Sequence, residues 1–133
     1  MRDAEARYRT LVDLSPDAVL LQSDGRIEYA NRAAAEMFGV AGPAALIGRE
    51  TMNMVHPDDR AMVLERARYL RAGPGKSDFR ERRMLRQDGS VAVVEGASVS
   101  YLERGRLVVQ TVLRDISERV RNREEVVRRA RRA

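Results

Sequence analysis

Cysteine and tryptophan are both absent from the chain, and Phe and Tyr together make up only 5% of it. Without Cys there can be no disulfide, no thiolate metal site and no cysteine nucleophile. With so few aromatic rings the core must be built from Leu, Val, Ile, Ala and the six Met. Methionine packs as filler, and its flexibility also lets an interior accept ligands of varied shape. No apolar run approaches a membrane span, and the N-terminus lacks the apolar stretch of a signal peptide. The chain is therefore expected to be cytoplasmic and part of a longer protein. His56 is the only histidine, which leaves little material for acid–base or metal chemistry.

What is present suits one soluble domain: 133 residues, 44% hydrophobic and 34% charged. The net charge of +5 is unevenly placed. From Glu118 onward seven Arg face three Glu, giving +4, and the preceding 117 residues carry only +1. The high isoelectric point belongs to the tail. A broad basic face for nucleic acid is not indicated, and the Glu mixed into the tail and the scarcity of aromatic rings argue the same way.

Apolar periodicity and turn residues divide the chain. Ala4, Tyr8, Leu11 and Val12 share one face of a helix over Arg2 to Leu14, closed by Ser15-Pro16-Asp17. That helix is too short to stand alone and needs the domain or a second copy to pack on. Ala18 to Gln22 and Ile27 to Ala30 read as strands joined at Asp24-Gly25. Asn31 is placed to cap a helix over Arg32 to Phe38, with Ala33 and Met37, and then Ala34 and Phe38, on its buried face and Gly39 as its stop. Short helical turns are expected around Ala44 to Leu46 and Thr51 to Val55. A longer helix then begins near Pro57-Asp58-Asp59 and ends at Gly73-Pro74-Gly75. Ser77 to Arg86, Val91 to Leu102 and Leu107 to Leu113 are strands separated by Asp88-Gly89 and Arg104-Gly105 turns. From Ser117 a charged helix follows, with Asp115 or Ser117 as its cap. Two strands, several helices and three strands make an α+β domain. The expected limits are 1–14 for a flanking helix, 15–117 for the core and 118–133 for an exit helix.

Five stretches occur in an order that resembles the PAS family. They are Leu14-Ser15-Pro16-Asp17-Ala18-Val19, Asp24-Gly25-Arg26-Ile27-Glu28-Tyr29-Ala30-Asn31, Val55-His56-Pro57-Asp58-Asp59-Arg60, Glu81-Arg82-Arg83-Met84-Leu85-Arg86-Gln87-Asp88-Gly89-Ser90 and Arg114-Asp115-Ile116-Ser117-Glu118-Arg119. Together they cover residues 8 to 119. The resemblance implies a five-stranded antiparallel sheet of order 2-1-5-4-3 with helices on one face and a ligand cleft between. It also implies that signals leave through the last strand and the helix after it. Asp115-Ile116-Ser117 stands where such domains often carry Asp-Ile-Thr, the Asp pairing with a basic residue and fixing the exit helix, so these three are the expected relay.

Leu21, Tyr29, Met37, Phe38, Met54, Met62, Val63 and Leu70 are the expected lining of the cleft, which would take a small apolar ligand such as a fatty acid. The strand after Gly89 offers Val91, Val93, Ala97 and Val99 on one side and Ala92, Val94, Gly96 and Ser98 on the other. If the second set faces inward, its small side chains leave room for a ligand; if the first does, the interior is fuller. Haem is disfavoured, because the long helix carries no His and His56 precedes Pro57 at its start. Flavin–cysteine chemistry is excluded by the missing thiol. Asp58-Asp59 reads as a pair of dipole partners rather than a metal site, no phosphate-binding glycine loop is present, and no catalytic residue is assigned.

In the tail, Ile116, Val120, Arg123, Val127 and Ala130 approximate a coiled-coil seam that Arg123 interrupts, and Glu124 can pair with Arg128. Tyr8, Leu11, Val12, Val120 and Val127 are the expected homodimer contacts. The function so indicated is a non-catalytic sensor that passes a signal through its terminal helices to an output domain such as a histidine kinase or diguanylate cyclase. The alternative is a ligand-free module for dimerisation or protein interaction.

Overall fold

The computed structural model describes residues 2–132. In chain order the elements are α1 (Arg2–Leu14), β1 (Ala18–Ser23), β2 (Arg26–Ala30), α2 (Arg32–Phe38), α3 (Arg60–Arg71), β3 (Gly75–Leu85), β4 (Val91–Glu103), β5 (Arg106–Asp115) and α4 (Ser117–Arg132). Short 3-10 turns at Pro43–Ala45, Thr51–Met54 and Pro57–Asp59 lie between α2 and α3. The strands form one sheet in the order β2-β1-β5-β4-β3, with antiparallel neighbours throughout.

Local chemistry explains the hairpins. Asp24 and Gly25 have φ of 52° and 78°, and Arg104 and Gly105 have 51° and 76°. Two consecutive positive φ values make the tight turn whose twist matches the strands it joins. Asp pays little for this conformation, whereas Arg104 accepts it because Gly105 takes the second position.

The pleat sorts side chains between two environments. Leu20, Ala92, Val94 and Leu113 point to the helix side and are fully or almost fully buried, in one cluster with Ile27, Ala34, Phe38, Leu46, Met54, Val55, Val63 and Met84. Val91 and Val99 point the other way and stay 40% and 41% exposed. The choice left open between the two faces of β4 is thereby decided: the set containing Ala92, Val94, Gly96 and Ser98 faces inward.

α1 crosses the outer face. Its Tyr8 hydroxyl donates to Gln110 Oε1 at 2.7 Å, and Tyr29 donates to Asp13 Oδ1 at 2.5 Å. Val12 is buried, while Leu11 and Leu14 face away. In α2 the buried residues are Ala34, Ala35 and Phe38: Ala34 and Phe38 of the expected face are buried, and Ala35 joins them. Ala33 and Met37 are only half-buried, because the helix is rotated to drive Phe38 into the core.

Asn31 joins these parts. It is fully buried. Its Oδ1 accepts from Val19 N at 2.9 Å and Ala34 N at 3.0 Å, and its Nδ2 donates to Val12 O at 2.7 Å and Asp17 O at 2.9 Å. One amide thus caps α2, binds the last turn of α1 and fixes the start of β1. Asn31→Ala removes the cap and strands buried backbone partners, so it should cost about 3 kcal/mol. Urea unfolding with an unchanged m-value should read that loss; a change below about 1 kcal/mol would contradict the role.

Candidate functional site: a cavity between the sheet and α3

The inward face of the sheet does not close against α3. Between them lies a cavity of about 200 Å3. Leu20, Val109, Thr111 and Leu113 come to it from β1 and β5, and Val63, Arg66, Ala67 and Leu70 from α3. Ser77, Arg82 and Met84 of β3 and Ser98 of β4 supply the far wall, while Gln22, Gly25, Thr51 and Val55 close the near end. The space exists because β4 offers small residues here. Gly96 is buried, and a methyl group at its Cα would sit 2.7 Å from Arg82 Cζ and Nε. The Arg82 guanidinium lies flat where a side chain would otherwise stand.

Of the residues expected at the cleft, Val63 and Leu70 line this cavity. Leu21 and Tyr29 do not: the alternation of β1 turns Leu20 inward and Leu21 outward, and Tyr29 is bonded to α1. Phe38 and Met54 belong to the close-packed core, with Met37 and Met62 packed against it. Arg66 and Arg82 were missed. Their signal was present as Arg on the inward register of a helix and a strand, but Arg in a charged segment ordinarily reads as a solvated residue.

The polar wall is partly satisfied. Ser98 and Thr111 share a hydrogen bond of 2.8 Å, Thr51 donates to Gln22, and Arg66 Nη2 donates to Asp78 O at 2.6 Å. Arg66 Nη1 and Arg82 Nε are sealed from solvent without a partner. Among the described residues no carboxylate approaches either guanidinium to salt-bridge distance. Burial, and then the neighbouring Arg66 cation, push Arg82 down to about 10. Arg66 is lowered as well, by burial and then by Arg80.

α3 is seated by its first turn. His56 Nδ1 accepts from Asp58 N at 3.1 Å, a capping role. Asp59 accepts from Arg83 N at 2.7 Å, and its two oxygens take Arg83 Nε at 3.1 Å and Nη2 at 2.9 Å. The adjacent acids thus orient α3 on β3.

At its far end the sheet holds the exit helix. Ile116 is buried, and its N–H donates to Val93 O at 2.9 Å. Ser117 Oγ accepts from Val93 N at 3.1 Å. Asp115 Oδ1 accepts from Ser117 N at 2.8 Å, and Oδ2 faces Arg86 Nη2 at 3.5 Å. Asp115 both caps the helix and pairs with a basic residue. Beyond the junction, Arg119 pairs with Glu95 at 2.7 Å and Arg123 with Glu81 at 3.0 Å, which holds α4 along β4 and β3. Arg128 and Arg129 pair with Glu125. The expected Glu124–Arg128 pair is therefore replaced by one three residues apart.

A sheet packed on one helix, enclosing a cavity and clamped to an exit helix, defines a small α+β module built around an interior site. The family model for the PAS domain matches residues 6–71, and the chain belongs to that family. It is 26% identical over 124 residues to sporulation kinase A of Bacillus subtilis strain 168, covering 93% of this chain but only 20% of that kinase. A PAS domain structure from Colwellia psychrerythraea superposes with a TM-score of 0.76 at 21% identity, over 87% of this chain and 99% of that one. Another, the PAS domain in complex with ethanol of a LuxR-family transcriptional regulator from Burkholderia thailandensis, gives 0.64 at 26% identity, over 83% and 97%. The chain is thus a PAS sensory domain, similar in sequence to one fifth of a sporulation kinase. No helix among the described residues is long and apolar enough to cross a membrane.

The Asp59–Arg83 pair predicts a pH dependence. The Arg83 hydrogen bond holds the Asp59 carboxyl below its ordinary value of 3.8. A folded-state pKa below the unfolded one stabilises fully above the unfolded value, and the contribution is lost as pH falls through the folded value. Asp59→Asn should therefore cost about 1 kcal/mol at pH 7, the pair being partly exposed. The difference from wild type should shrink toward zero near pH 2, as read by urea unfolding at both pH values.

Proposed function

We propose that this domain is the input module of a larger cytoplasmic signalling protein. A small molecule enters the cavity, and occupancy alters how β4 and β5 hold α4. The carrying observation is continuity: β5 presents Val109, Thr111 and Leu113 to the cavity and ends at Asp115, where α4 is clamped. Asp115, Ile116 and Ser117 serve as the relay in this reading. A bound molecule that favours one packing of sheet and helix shifts a two-state equilibrium by its difference in affinity for the two states. An output domain of the histidine kinase or diguanylate cyclase kind follows α4. Similarity to a sporulation kinase of which this chain spans a fifth supports that placement.

The space favours a compact ligand. An engineered cavity of about 150 Å3 takes benzene, so about 200 Å3 suits a molecule somewhat larger. A long-chain fatty acid exceeds it. That a structural neighbour is known in complex with ethanol supports a pocket for small molecules. A thermal-shift screen of short alcohols, amides and acids, with haem and flavins beside them, should give a concentration-dependent rise in Tm with at least one compact compound. A flat response to all of them would overturn the pocket reading.

A second reading, association through the terminal helices, rests on exposed apolar residues. Val12 is buried, and Tyr8, bonded to Gln110, stays 40% exposed. Leu11 and Leu14 of α1 are 71% and 77% exposed, and Val126 and Val127 of α4 are 65% and 45% exposed. Chains lacking residues 1–14 or 118–133 should sediment as monomers where the full chain dimerises. Unchanged mass in both would exclude terminal-helix association.

A further inference from the structure

We propose that the cavity is built for a small organic carboxylate whose anionic head lies between Arg66 and Arg82 and whose short apolar body lies toward Val63, Leu70 and Leu113. The inference rests on the sensor reading above and names the chemical class of the ligand.

Arg71 of α3 and the carboxylate of Asp24 also line the cavity, and Arg66 of α3 and Arg82 of β3 reach it from different elements. A guanidinium removed from water requires an anion or a full set of acceptors. Neither has a protein carboxylate at pairing distance, and each keeps one buried N–H without an acceptor, Arg66 at Nη1 and Arg82 at Nε. Repulsion adds to the cost at Arg82, which burial and then the neighbouring Arg66 cation push down. A purely structural arginine would be expected to find a carboxylate, as Arg83 does with Asp59 and Arg123 with Glu81. Arg82 is instead laid on the bare backbone of Gly96, where any side chain would displace it. That packing lays the guanidinium against the sheet in the cavity wall, and a planar guanidinium suits a carboxylate.

The rest of the wall sets the body of the ligand. Val63, Leu70, Met84 and Leu113 are apolar, and the volume admits a ring or short chain of about benzene's size. Ser77, Ser98 and Thr111 stand near enough in the wall to serve an added hydroxyl or second oxygen.

The test uses the 133-residue chain with benzoate and hexanoate, their uncharged counterparts benzamide and hexanamide, and inorganic phosphate. At a hundredfold excess over Kd at least one of the two carboxylates should raise Tm by about 5–10 °C. The amides and phosphate should not, and Arg82→Met and Arg66→Met should each abolish the rise. Without ligand, Arg82→Met should melt about 4 °C higher than wild type, because an uncompensated buried charge is gone. Amides that match the carboxylates would leave the pocket reading standing and overturn the anion. Phosphate matching benzoate would overturn the apolar body. Silence from both carboxylates would also overturn the inference, and the sensor reading falls with it only if the wider screen is silent too. A lower ligand-free Tm in Arg82→Met, shared by Arg66→Met, would assign the pair to structural support and refute the proposal.

Discussion

The fold depends on one buried amide. Asn31 uses both lone pairs of its oxygen and both N–H groups of its nitrogen on backbone partners from three elements. A side chain able to donate and accept at once is required, because Val19 and Ala34 offer N–H groups while Val12 and Asp17 offer carbonyls. Satisfying all four in a dry site fixes α1 on the outer face of the sheet and α2 on the inner face. Every later packing choice inherits that arrangement. With α1 covering the outside, the inner face of β1 and β5 is free to meet α3.

What α3 meets is a surface made shallow by β4. Ala92, Gly96 and Ser98 are too small to fill the gap between sheet and helix, and the gap persists because α3 cannot settle closer. Its N-cap residue is pinned to β3 by the Asp59–Arg83 pair, and the 3-10 turn before it is capped by His56. Packing density in protein interiors normally excludes a void of this size unless polar groups or a ligand occupy it. The polar groups here include Arg66 and Arg82 beside Gln22, Thr51, Ser98 and Thr111. Burial of the Arg82 guanidinium without a carboxylate opposes folding, and the hydrophobic cluster offsets it.

The two ends of the sheet are mechanically linked. Val93 of β4 uses both its N–H and its carbonyl on the Ile116–Ser117 junction. The adjacent inward residues of the same strand, Ala92 and Val94, sit in the core cluster that borders the cavity. Glu81 and Glu95, on β3 and β4, then hold Arg123 and Arg119 of α4. In the proposed relay, a change in strand spacing at the cavity would move the groups on which the exit helix rests.

Much of this was legible in residue order. The Asp24-Gly25 and Arg104-Gly105 turns, the Asn31 cap and the Gly39 stop are local, and local chemistry fixed them within a residue or two. The alternating face of β4 was legible as two candidate sets but not as a choice, because both are partly apolar. The lining was legible only at Val63 and Leu70. Leu21 and Tyr29 fell on the wrong side because strand periodicity reports alternation without saying which face is covered. Arg66 and Arg82 were invisible as site residues because a chain with a third of its residues charged gives no sign of which charges lose their water.

The sequence by itself determined the order of elements, the turns and caps that bound them, and the absence of thiol chemistry, since each follows from the covalent properties of neighbouring residues. Only the tertiary structure decided which face of the sheet looks inward, that α1 lays Tyr8 on β5 and buries Val12, and that arginines of α3 and β3 share a cavity. Those outcomes depend on desolvation, and desolvation is set by what distant segments place on top of a residue rather than by the residue itself.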